Sequence, residues 1–134
     1  MPSCVLRVAG STVKIKRFLR ECSLEPSKVY LRGDPGFPTS RGPVKTSGFN
    51  ISLSGSHGDS IEKQAREALV FFRKHREDLL LMKSMKFKAS VVDFGLHDLA
   101  TEERPWPSYR LPAIFVEAAG ELGLGVVLSF YGAP

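Results

Sequence analysis

The sequence predicts one α+β domain over residues 1–134, with a mainly antiparallel sheet and helices on one of its faces. Three observations carry that expectation. "SGFNISLSG" puts Phe49, Ile51 and Leu53 on one side and Asn50, Ser52 and Ser54 on the other, the period-two pattern of a strand with one buried face. From about 60 to 83, Ile61, Ala65, Ala68, Leu69, Phe72, Leu79 and Leu80 recur at the 3.6-type spacing of an amphipathic helix. Around these two segments, strand-like and helix-like stretches alternate between Gly and Pro breakers, which is how sheet-and-helix layers are written in a chain.

"CVLRVAG" (4–10) alternates apolar and polar residues and stops at Gly10, as a strand does. "STVKIKRFLREC" then sets Val13, Phe18, Leu19 and Cys22 near helical spacing, with Ser11 or Thr12 as N-cap. After Pro26, Val29 to Leu31 make a short strand closed by Gly33. "GDPGFPTSRGPVKTSG" (33–48) has four glycines and three prolines, so no helix can form there, and its 16 residues exceed what a hairpin needs. The long helix starts at a capping-box pattern, Asp59 followed by Glu62. In "KFKASVVDFGL", Phe87, Ala89 and Val91 give way to Val92 and Phe94, which predicts a strand with a bulge or one buried on both faces. "HDLATEERPWPSYR" is a polar, proline-broken connection. Pro112 opens the helix "PAIFVEAAGEL", and "GVVLSFYG" is a final strand. The order β-α-β-β-α-β-α-β begins as the split β-α-β arrangement of ferredoxin-like folds, extended by the last helix and strand.

With 43% hydrophobic and 25% charged residues the chain sits near the globular average, which excludes disordered and fibrous classes. Its apolar runs fall short of the roughly 20 residues that span a bilayer, and "MPSCVLRVAG" has no secretory pattern, so a cytoplasmic protein is expected. Cys4 and Cys22 share no metal-type spacing and read as reduced thiols. The net charge of +5 lies wholly in residues 1–60, which hold nine basic and four acidic residues, whereas residues 61–134 hold ten of each. Such a basic half attracts an acidic protein, a phosphate-bearing ligand or nucleic acid.

The layout resembles a group of small bacterial domain-of-unknown-function proteins. The resemblance rests on the basic strand-helix start, the Gly/Pro loop before "FNISLSG", the long helix ending near "LLLMKSM", and "ELGLGVVLSFYG". Some proteins of that size and layout act as immunity proteins to secreted toxins. The resemblance implies a binding role and supplies no active site.

Motifs for chemistry are weak. His57 with Asp59 and His97 with Asp98 are nitrogen and oxygen donors at element ends, but neither spacing is diagnostic of a metal site, and no metal or cofactor is expected. "SGSHG" is not a nucleophile elbow, and "GELGLG" stands at a helix end where a dinucleotide fingerprint needs a helix start. Aromatic and basic residues in rigid loops are the types that anchor protein interfaces, which points to Arg32, Phe37, Arg41, Lys45, Trp106 and Tyr109 as partner-binding residues. The sequence therefore predicts a non-enzymatic inhibitor or immunity protein that occludes a partner with an acidic surface. Two alternatives stand beside it: nucleic-acid binding by Lys14, Lys16, Arg17 and Arg20 on the first helix, and a small enzyme or metal-binding fold using His57 and His97.

Overall fold

β1 (Cys4–Gly10) is the strand around which the others assemble, because its residues alternate strictly between buried and half-buried positions. The computed structural model describes residues 3–36, 42–55, 60–97, 102, 103 and 105–131. After β1 come α1 (Thr12–Glu21), β2 (Lys28–Tyr30), β3 (Ser47–Ser52), α2 (Ile61–Lys74), α3 (Arg76–Ser84), β4 (Ala89–His97), α4 (Ala113–Glu121) and β5 (Gly125–Tyr131). The strands form one five-stranded sheet in the order β2-β3-β1-β4-β5. β1 is antiparallel to both β3 and β4, and β2 is antiparallel to β3, but β5 runs parallel to β4. The sheet is thus mixed rather than mainly antiparallel. The reason is connective: α4 carries the chain back along the sheet before β5 begins, and a helical crossover delivers a parallel neighbour.

Registers divide the sheet into two faces. Leu6 and Val8 lie opposite Ile51 and Phe49 on β3, and Leu6 and Cys4 lie opposite Val92 and Phe94 on β4. This face is covered by helices. Phe18 of α1 stacks on Phe49 at 5.6 Å, while Phe115 of α4 meets Phe94 edge-on at 5.2 Å and Phe72 of α2 at 5.8 Å. Phe18, Phe49, Phe94 and Phe115 are fully buried, and fully burying one such ring contributes about 1.5–3 kcal/mol.

Two local expectations are corrected, and a third is decided between its alternatives. Residues 60–83 are two helices, bent at His75, whose φ of −115° and ψ of 28° leave the helical region while the Phe71 ring lies 4.5 Å from the imidazole. Ser60 caps α2, accepting from the Lys63 N–H at 3.3 Å; Asp59 lies outside the described residues. Of the two readings of β4, the bulge is absent and burial on both faces holds: its pairing with β1 is continuous from Ala89 to Phe94, Val92, Phe94 and Leu96 face the helices, and Asp93 and Gly95 on the other side are buried as well.

Two predictions follow from this packing. A Cβ at Gly48 would collide with the Val8 carbonyl oxygen and the Tyr30 phenol, so Gly48→Ala should lower unfolding free energy by about 1–3 kcal/mol in urea titration. Burial, reinforced by the Asp93 and Glu67 carboxylates, pushes the Cys4 thiol up to about 12. Only a thiolate reacts, so below that pH a thiol reagent should label the half-exposed Cys22 in the native state and Cys4 only on unfolding.

Candidate docking face

The alternation that sends Leu6 and Val8 under the helices sends Val5, Arg7 and Ala9 to the other side of the sheet. Register places Arg7 opposite Asn50 on β3 and Val91 on β4, and sets Asp93 beside Val127 and Gly95 beside Ser129 on β5. Lys28 and Tyr30 of β2 share this side, lying opposite Asn50 and Gly48. Among the described residues no helix packs on it.

A polar row crosses four strands of this open face. Arg7 Nε donates to Asp93 Oδ2 at 2.9 Å, and the Ser129 hydroxyl donates to Asp93 Oδ1 at 2.6 Å. The Asn50 side chain, oriented to satisfy both its neighbours, accepts from an Arg7 terminal nitrogen at 3.2 Å and donates to the Phe49 carbonyl at 3.2 Å. Asp93 is buried, whereas the Arg7 side chain is 42% exposed. A buried carboxylate thus holds a reachable guanidinium. Of its five N–H donors, two are spent within the row. The rest of the fork is positioned to meet a carboxylate with little loss of side-chain freedom.

The residues singled out by sequence are distributed around this face rather than gathered on it. The connection after β2 is pinched at its neck: Gly33 N–H donates to the Val44 carbonyl at 2.9 Å and Val44 N–H to the Asp34 carbonyl at 2.8 Å. Arg32 and Lys45 are exposed beside that neck, and the Arg32 N–H donates to Ser47 Oγ at 2.8 Å. Phe37 and Arg41 lie outside the described residues. Trp106 is 85% exposed, and Tyr109 packs its ring 5.5 Å from Phe130 while its hydroxyl donates to the His97 carbonyl. Arg32 and Lys45 stand at the end where β4 starts, Trp106 and Tyr109 near the end where it finishes. β4 spans residues 89–97, which at about 3.3 Å per residue separates those ends by about 26 Å.

The basic residues are likewise split by the sheet. α1 packs Ile15 and Phe18 onto the covered side, so Lys14, Lys16, Arg17 and Arg20 lie on the helix layer and Arg7 and Lys28 on the other side. Lys14 Nζ donates to the Met85 carbonyl at 3.0 Å, and Arg17 pairs with Glu21 at 3.1 Å. His57 lies outside the described residues, and His97 ends β4. No group of three or more His, Cys, Asp or Glu side chains among the described residues is arranged to hold a metal ion. Nor is any described helix long and apolar enough to cross a membrane.

Sequence reasoning assigned the Arg7, Asn50, Asp93 and Ser129 row no function. The available signal was Asp93 within the apolar run "VVDFG", a carboxylate that a strand buries only with a partner.

No family model matches the chain, and no solved structure matches it. It is similar to an LL-diaminopimelate aminotransferase from Desulforudis audaxviator (strain MP104C), 29% identical over 122 residues, covering 78% of this chain. The chain spans 31% of that protein's length.

The row can be tested energetically. A double-mutant cycle of Arg7→Ala and Asp93→Ala should give a coupling of about 1 kcal/mol, above the few tenths typical of exposed pairs, with Asp93→Ala the costlier single change because it strands two donors.

Proposed function

We propose that the chain is a non-enzymatic protein-binding module, an inhibitor or immunity protein of the bacterial cytoplasm that acts by covering a partner's surface. One observation carries this reading: an arginine, Arg7, fixed by Asp93 and Asn50 yet reachable in the middle of a sheet face that no described helix covers. A rigid, preorganised guanidinium on a flat face is a residue type and setting from which interfaces draw much of their energy. Lys28, Arg32 and Lys45 extend the positive charge from that face to the β2 end, with Arg41 of the same connection assigned by the sequence reading, and the partner accordingly presents an acidic surface. The strand order β2-β3-β1-β4 supports reading β1 through β4, with α2 and α3 together in the place of one helix, as a ferredoxin-like split core, to which α4 and β5 are an addition. The likeness to an aminotransferase covers under a third of that protein, and we carry no transamination over to this chain.

Nucleic-acid binding through α1 is the competing reading, supported by four basic residues on one helix and weakened by the two already engaged within the chain. The two separate by charge reversal at exposed positions. The chain is immobilised, bacterial cytoplasm is passed over it, and the captured species is purified and titrated against variants. Lys28→Glu with Arg32→Glu and Lys45→Glu should weaken a captured protein at least about tenfold while Lys16→Gln with Arg20→Gln leaves it unchanged. Capture of nucleic acid instead, with steep salt dependence and loss in the helix variant, would overturn the protein-binding reading.

A further inference from the structure

We propose that the chain self-associates through β5, which pairs antiparallel with β5 of a second copy about a two-fold axis and joins two five-stranded sheets into one. This inference stands on the sheet's edge rather than on the open face, and it does not depend on the function proposed above.

The two edges of the sheet are built differently. β2 is three residues long and carries exposed Lys28, the short and charged form that discourages further strand pairing. β5 is seven residues long, GVVLSFY, with no charge and no proline. It is bonded to β4 on one side and is the last strand of the sheet on the other. One of its faces carries Val126, Leu128 and Phe130, the last against Tyr109, and the other carries Val127 and Tyr131 on either side of Ser129, which is bonded to Asp93. Val126, Val127 and Leu128 are each 40% exposed, Tyr131 46% and Phe130 57%. Among the described residues nothing blunts this edge, and a long, largely apolar edge of that kind is a template for another strand.

Charge and register select a second copy as the occupant. The +5 excess lies in residues 1–60, which build β1, α1, β2 and β3, and residues 61–134 are balanced. β2 is four strand spacings from β5, so a two-fold axis outside β5 sets the two β2 edges about 43 Å apart at roughly 4.8 Å per strand. That separation is several Debye lengths at physiological salt, and the two positive halves do not oppose association. Pairing that engages all seven residues centres on Leu128. It places Val126 opposite Phe130, Val127 opposite Ser129 and Gly125 opposite Tyr131, a small residue against a large one at both ends. A charged partner would find no countercharge on this strand.

Sedimentation velocity of the full chain over about two decades of concentration should show a reversible monomer–dimer equilibrium. Leu128→Lys puts two ammonium groups at the axis and should raise the dissociation constant at least about tenfold. Val29→Lys adds the same charge at the β2 edge and should leave it unchanged; circular dichroism checks that both variants fold. In a Cys22→Ser background, Leu128→Cys should cross-link to itself on mild oxidation while Val29→Cys should not. A chain that stays monomeric at every concentration overturns the proposal, as does a dimer indifferent to Leu128→Lys. So does a β5 edge protected from hydrogen exchange only when a different protein is present.

Discussion

The double hydrogen-bonded engagement of β1 is the constraint on which the rest of this structure depends. Because β3 and β4 pair on either side of it, each of its residues is committed to one face, and a slip of one residue would exchange Leu6 and Val8 for Arg7. Burying an unpaired guanidinium under Phe18 and Phe115 would cost several kcal/mol, far more than any turn preference could offset. The register is therefore held by chemistry on both faces at once. Apolar rings under the helices hold it from one side, and the Asn50, Arg7, Asp93 and Ser129 row from the other.

That division explains how a small basic domain keeps its charges apart. α1 turns its basic residues outward because Ile15 and Phe18 are needed inside, and the sheet places Arg7 and Lys28 on the reverse side. A composition that reads as one basic half is, in space, two separate positive regions. The open face combines the anchored arginine with Tyr30 and Val91, a mixture suited to a protein surface more than to a phosphate backbone. The apolar edge at β5 lies at the other extreme of the same sheet. The proposed partner face and the proposed self-pairing edge are compatible, since one uses side chains and the other uses main-chain groups.

Most of the fold was legible locally. The alternation at 49–53 and the helical repeats of 12–21 and 61–74 are set by which residues avoid water, and they appear where the sequence places them. Legibility failed where the decision was not local. His75 interrupts the helix although no residue there is a breaker, and Leu79 and Met82 beyond it are buried all the same. The shift from Val91 to Val92 in the apolar pattern admits a bulge or burial on both faces, and the assembled sheet takes the second, with Asp93 buried on the open side as a paired carboxylate. Of the loop residues chosen for interface character, Arg32 and Lys45 are exposed together, but Trp106 and Tyr109 stand at the far end of β4. The topology, not the loop composition, sets that distance.

The sequence by itself determined the α+β class, the strands and helices apart from the break between α2 and α3, the rings that fill the core and the location of the excess charge in the first half. Each of these depends on the water-avoidance and conformational preferences of near neighbours in the chain. Only the tertiary structure decided that β5 lies parallel to β4 as the last strand of the sheet, and that Arg7, Asn50, Asp93 and Ser129 form one row. Those four residues are contributed by four strands, and the pairing that aligns them is a property of the assembled sheet.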